Sequence, residues 1–182
     1  MIYEVEGDIL LTRASVIVQT VAIQDPMTRG LARKLRDRFP VMLEKFRQWC
    51  EETDAEPGQI WSWGEPGKKT IVNLITHEAD DDPTRSRRPD KIALNHCLKA
   101  LNSLYVEKRF QALAMPMIGA GEYGHEWTDV RDMMQAQLRD ILAPIYVYTK
   151  ELEGQIAHEP SPSLFLNAFI LPLDETCGFK SA

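Results

Sequence analysis

The chain has 182 residues, 44% of them hydrophobic, enough for one globular domain with a sizeable core and too few for two full domains. A formal net charge of -6 excludes a whole-surface electrostatic grip on nucleic acid, so an anionic ligand has to be held by local amides. No basic-apolar leader and no apolar run of membrane-spanning length is present, which excludes a membrane partner at the level of sequence.

The first apolar segment, Ile2 to Val5, reads as a short strand broken by Gly7-Asp8-Ile9-Leu10. Asp8 thereby stands at a strand end, where an aspartate after a glycine is ordinarily a turn or cap residue. Val16 to Val21 is a β-branched run suited to a buried strand. A loop, Ala22 to Thr28, leads into a helix from Gly30 to Phe39 with Leu31, Leu35 and Phe39 at helical spacing. Pro40 interrupts the pattern, and a second helix carries Leu43, Phe46 and Cys50 on one face. The basic residues Arg33, Lys34, Arg36 and Arg38 read as a solvated helix face.

Gln59 to Gly64 and Lys69 to Thr76 form a strand pair across the turn Glu65-Pro66-Gly67-Lys68. A polar loop of unusual length follows, from Glu78 to Pro89. Asp90 to Tyr105 is an amphipathic helix with Leu94, Cys97, Leu98, Leu101 and Leu104 on one face. The strand ending at Pro116 then runs through glycines 119, 121 and 124 into a helix from Trp127, and Ile145 to Thr149 supplies the last strand.

A strand, a glycine loop and a helix together predict a phosphate cradle, because glycine lets the backbone approach an anion with its amides turned inward. The three glycines also spell the dinucleotide GxGxxG pattern. That assignment fails, since only one strand follows and the helix opens at Trp127 instead of at Gly124. Strand and helix alternate from residue 16 onward, which favours a mixed sheet with helices on both faces. The domain is expected over residues 1–150. Residues 151–182 form an extension, linker-like from Glu151 to Ser163, whose apolar stretch Leu164 to Leu173 packs back on the domain.

Cys50, Cys97 and Cys177 lack any CxxC spacing and read as reduced thiols of a cytoplasmic protein. His77, His96, His125 and His158 lack metal-ligand spacing, so neither a metal nor another cofactor is expected.

Three stretches taken together, Gly7-Asp8-Ile9-Leu10, the loop from Gln19 to Ala32, and Pro116-Met-Ile-Gly-Ala-Gly-Glu-Tyr-Gly-His-Glu-Trp127, resemble the macrodomain family across roughly residues 2 to 149. Within that family the chain is most similar to the branch of the terminal ADP-ribose glycohydrolase and the antitoxin that removes ADP-ribose from DNA. The resemblance implies an α/β fold, a three-layer α/β/α domain with a mixed central sheet, binding ADP-ribose or an ADP-ribosylated macromolecule in a crest at the strand ends. Nucleic acid is one candidate for the modified target.

By position the resemblance gives Asp8 the adenine amino group and Ile9 a backbone contact beside the base. Gly119, Ala120, Gly121, Glu122, Tyr123 and Gly124 would wrap the diphosphate, Tyr148 would sit near the adenine face, and the loop from Ala22 to Gly30 would close over the distal ribose. The sequence departs from the family pattern on the reacting side. Ala22 replaces an asparagine, Thr28 and Arg29 replace paired glycines, His77 stands where that branch has a lysine, and Tyr123 where it has an aspartate. Histidine cannot form the Schiff-base adduct of a lysine amine, and a tyrosine with a reference pKa of about 10 is a poor base near neutrality. Hydrolysis of the glycosidic bond then falls to Glu122, His125 or His77 activating water. The alternative is a non-catalytic, degenerate macrodomain acting as a nucleotide-binding or protein-interaction module, for which the bulky Ala22-Ile23-Gln24-Asp25-Pro26 loop speaks.

Overall fold

The computed structural model describes residues 1–78, 88–120 and 124–160. In chain order these form β1 (Ile2–Gly7), a 3-10 turn (Ile9–Leu11), β2 (Val16–Ala22), α1 (Gly30–Arg38), α2 (Pro40–Thr53), β3 (Ile60–Trp63) and β4 (Thr70–His77). They continue with α3 (Lys91–Lys108), β5 (Leu113–Pro116), α4 (Trp127–Gln137) and β6 (Ile145–Glu151). The strands make one sheet in the order β1-β6-β5-β2-β4-β3. Only β3 runs antiparallel, closing a hairpin with β4, so the sheet is mixed as expected.

Alternation along the strands decides the layers, because successive side chains leave a strand on opposite faces. Val16 and Val18 of β2, Val72 and Leu74 of β4, and Ile145 and Val147 of β6 face one core, which α3 and α4 cover. Ile17 and Val21, Ile71 and Ile75, and Tyr146 and Tyr148 face the other, covered by α1 and α2. The result is the three-layer α/β/α arrangement. Each fully buried Leu or Ile in these clusters contributes roughly 1.5–3 kcal/mol of transfer free energy.

Local chemistry sets the element ends. Pro40 does more than interrupt the first helix, since it is the first residue of α2, a position whose amide has no intrahelical partner to lose. Asp90 caps α3 by accepting from the Ala93 amide at 2.7 Å, worth about 1 kcal/mol. That helix runs to Lys108, about a turn beyond the end read from its apolar stripe, and closes on Arg109 in the left-handed conformation. In the β3–β4 turn the Lys68 amide donates to the Glu65 carbonyl, with Gly67 supplying the positive φ.

Residues 152–160, polar and proline-containing, do not hang free as a linker. The Leu152 amide donates to the Gly7 carbonyl, Ala157 is buried against Gly7, and Glu159 is only 3% exposed. The apolar stretch Leu164 to Leu173 and Cys177 lie outside the described residues.

Candidate functional site

Five mutually parallel strands place their C-terminal ends on one edge of the sheet, so Gly7, Ala22, His77, Pro116 and Glu151 all open onto the same crest. In open α/β sheets this edge is where ligands bind, because the chain leaves each strand there in a loop free to vary.

At the β1 end, Asp8 caps the 3-10 turn: one carboxylate oxygen accepts from the Leu10 amide at 2.9 Å and the other from the Gly154 amide at 3.0 Å. Its own amide donates to the Gln155 carbonyl at 2.7 Å. Asp8 is thus both the cap residue that sequence logic favours and a buried carboxylate at the crest, 7% exposed. A carboxylate has about four lone-pair sites, and two protein amides leave capacity for a further donor. Ile9, at 6% exposure, follows it into the turn.

Tyr148 lies on the neighbouring strand β6, paired in register with Val5 of β1 and on the α1/α2 side of the sheet, where its hydroxyl donates to Glu159 at 2.8 Å. Burial pushes this hydroxyl's pKa well above the usual tyrosine value.

After β2 the chain turns sharply, with Gln24, Met27 and Gly30 all at positive φ near +50°. Asp25 organises the turn. Its carboxylate accepts from the Met27 amide at 2.6 Å and the Ala22 amide at 3.3 Å, and Met27 is fully buried beneath. Two amides of the expected distal-ribose loop are therefore satisfied from within. Arg29 occupies the N-cap of α1 with extended backbone and is exposed. The Ile23 amide donates to the His77 carbonyl at 3.1 Å, and Ala22 pairs with His77 across the ladder, so the start of this loop is tied to the end of β4.

The glycine loop is pinched at its neck. The His125 amide donates to the Gly119 carbonyl at 2.8 Å, Ala120 bridges to His125, and the Ala120 amide turns back to Met117 at 3.2 Å. A Cβ on Gly124 would stand 2.6 Å from the Ala120 carbonyl carbon, and one on Gly119, whose φ is +65°, would stand 2.6 Å from Leu94 Cδ2. These glycines are required by close packing of the loop on itself and on α3, in addition to any ligand approach. Gly121, Glu122 and Tyr123, the expected centre of the cradle, lie outside the described residues.

His77 ends β4, and His125 lies in the loop between β5 and α4. His77 Nδ1 lies 3.0 Å from Thr76 Oγ1. His125 Nε2 lies 2.8 Å from the Pro89 carbonyl, which only accepts, so this nitrogen is a donor and Nδ1 is the ring nitrogen outside that bond.

Sequence reasoning missed Glu159. Its carboxylate accepts from Thr12 Oγ1, the Arg13 amide at 2.9 Å and the Tyr148 hydroxyl, while Arg13 Nη2 donates to its carbonyl at 2.5 Å. No local pattern marks an acid of this kind, because its partners are up to 147 positions away. Among the described residues no group of three His, Cys, Asp or Glu side chains is placed to hold a metal, and no helix is long and apolar enough to cross a membrane. An open groove of about 400 Å³ lies between α2 and β3, lined by Trp49, Trp61 and Trp63, and includes none of the crest residues.

No family model matches the sequence. Among curated proteins, a DNA ADP-ribosyl glycohydrolase of Mycobacterium tuberculosis is 28% identical over 147 residues, covering 77% of this chain and 40% of that protein. One from Thermus aquaticus is 26% identical over 166 residues, covering 89% and 44%. The chain thus spans less than half the length of these relatives. Among solved structures, the macrodomain of Thermus aquaticus DarG superposes with a TM-score of 0.72 at 25% identity, over 82% of this chain and 98% of the other. Thermosipho africanus DarTG in complex with ADP-ribose gives a TM-score of 0.72 at 21% identity, over 85% and 43%. With the crest geometry and these likenesses side by side, the chain has the macrodomain fold and is similar in sequence to the DNA ADP-ribosyl glycohydrolases.

Proposed function

We propose that this chain binds ADP-ribose, free or attached to a macromolecule, along the crest. The observation that carries the reading is the order of the strand ends. From β1 to β4 the sheet presents Asp8, then the end of β6, then the glycine loop after β5, then Ala22, then His77. A base at Asp8, a diphosphate at the glycine loop and a distal ribose at Ala22 and His77 follow the same linear order. Four strand intervals span about 19 Å, the scale of an extended molecule with a base, two pentoses and a diphosphate between them.

A second reading, removal of ADP-ribose by hydrolysis, is supported by the activity named for the relatives and by the placement of His125, whose Nε2 is engaged by the Pro89 carbonyl so that Nδ1 is the ring nitrogen outside that bond. In this reading Glu122, His125 and His77 supply the groups that activate water and steady the distal ribose, and Gly121 and Tyr123 complete the diphosphate loop with Gly119, Ala120 and Gly124. Modified DNA is the target we favour, in the cytoplasm, where the free buried thiols of Cys50 and Cys97 are stable. Incubation with ADP-ribosylated DNA and, separately, ADP-ribosylated protein decides between the readings. A binder saturates and releases nothing, whereas a hydrolase liberates free ADP-ribose in excess over protein, and Glu122→Gln, His125→Ala or His77→Ala identifies the group responsible. A chain that neither retains a substrate nor releases ADP-ribose from it contradicts both readings.

A further inference from the structure

We propose that Glu159 is a positioning residue for the adenine end of the crest, acting through the segment Leu152 to Pro160; the inference rests on the ADP-ribose reading. This segment makes two hydrogen bonds to Asp8 and a third to its neighbour Gly7. Gly154 donates its amide to the Asp8 carboxylate at 3.0 Å, Gln155 accepts from the Asp8 amide at 2.7 Å, and Leu152 donates to the neighbouring Gly7 carbonyl at 3.1 Å. Ala157 packs on Gly7 so closely that a Cβ there would meet the Ala157 amide nitrogen at 2.8 Å. The orientation of the carboxylate expected to read the base is therefore set by a strap outside the sheet.

The strap is fixed at both ends. At its start Lys34 pairs with Glu151 and lies 3.9 Å from Glu153, contacts that are largely solvated. At its far end the buried Glu159 carboxylate collects Thr12 Oγ1, the Arg13 amide and the Tyr148 hydroxyl, and the Tyr146 hydroxyl donates to the Pro160 carbonyl at 2.7 Å. Surface ion pairs contribute little, whereas a buried carboxylate with three donors is costly to displace. Glu159 is consequently the stronger anchor. It also links both ends of the Asp8 turn, since Thr12 closes the 3-10 turn that Asp8 opens.

The test uses the full chain, Glu159→Ala and Glu159→Gln, with ADP-ribose and its 6-oxo analogue, inosine diphosphate ribose, as paired ligands. The 6-amino group donates to a carboxylate and the 6-oxo group cannot, so wild type should prefer the adenine ligand by about tenfold or more. Glu159→Ala is expected to lose most of that preference while binding the inosine ligand nearly as wild type does, and Glu159→Gln, which keeps a carbonyl acceptor, is expected to restore much of it. Amide hydrogen exchange without ligand should show Asp8 and Gly154 losing protection in Glu159→Ala. Equal weakening of both ligands, or unchanged protection at Asp8 and Gly154, overturns the proposal and leaves the binding reading standing. If wild type binds neither ligand, the binding reading falls and the positioning role falls with it.

Discussion

Replacing Gly124 by alanine isolates the closed neck of the glycine loop from everything else in the domain. The new Cβ would lie 2.6 Å from the Ala120 carbonyl carbon, 2.7 Å from Ala120 Cα and 2.7 Å from the Gly119 oxygen, all backbone atoms that cannot swing aside. Reaching an ordinary contact of 3.4 Å requires the two arms of the loop to part by the difference from 2.6 Å, about 0.8 Å. Displaced along its length, the 2.8 Å bond from the His125 amide to Gly119 would then no longer hold. Overpacking at about 1–3 kcal/mol and one lost hydrogen bond at about 1 kcal/mol give roughly 2–4 kcal/mol of local strain. Relieved by opening the loop, about 2 kcal/mol of lost preorganisation weakens ADP-ribose roughly 30-fold. Calorimetric titration with ADP-ribose beside thermal unfolding reads both quantities. Gly67→Ala is the control, because Gly67 also has positive φ, +76°, yet its Cβ would meet nothing within 4 Å and it sits at the opposite end of β4. It should cost about 1 kcal/mol of stability and leave binding alone. Wild-type affinity in Gly124→Ala, or an equal loss in Gly67→Ala, refutes the argument that the neck shapes the ligand loop.

Burial raises the Cys97 thiol from 9.0 to about 12. The unfolded chain therefore ionises first as pH rises, so stability present below pH 9.0 is lost toward pH 12, by about 4 kcal/mol for this group. Denaturant titrations between pH 9 and 11 should show Cys97→Ala losing stability less steeply than wild type, by about 1.4 kcal/mol per pH unit; identical slopes contradict it. Asn73 is fully buried, accepts from Gln19 Nε2 at 2.9 Å and leaves its own Nδ2 without a hydrogen-bond partner. Urea unfolding of the Gln19→Leu, Asn73→Leu double variant should then show stability unchanged or raised by about 1 kcal/mol, whereas Gln19→Leu alone should lower it by about 1–3 kcal/mol. Asp25→Ala removes acceptors from the Ala22 and Met27 amides, and is expected to weaken ADP-ribose severalfold while leaving ADP, which lacks the distal ribose, unaffected. Parallel titrations with the two ligands check this, and an equal effect on both counts against the assignment of the loop.

The sheet and its helices were legible because each is announced by a local pattern. The β-branched run from Val16 to Val21 and the stripe through Leu94, Cys97, Leu98 and Leu101 need no distant partner to be recognised, and both supply the observed cores. Asp8 was legible in position. Its double engagement by Leu10 and Gly154 was not, because the second amide arrives from 146 residues away. The same distance hid the strap. Residues 152–160 have no periodicity, and what orders them is contact with distant residues: backbone bonds to Gly7 and Asp8 at one end, and at the other a buried carboxylate matched to donors on Thr12, Arg13 and Tyr148. Tyr148 was read as an aromatic face for a base, while its hydroxyl belongs to that matched set. His125 was read as a candidate to activate water, but the sequence did not show that Pro89, 36 positions earlier, engages its Nε2.

Calorimetric titration of ADP-ribose into the full chain and into Asp8→Ala, with ADP as competitor, tests the central claim most directly. The account predicts micromolar binding, roughly 8 kcal/mol, competed by ADP and lost in the variant. No heat in the wild-type chain, or binding that survives Asp8→Ala unchanged, contradicts a base-reading crest at the end of β1.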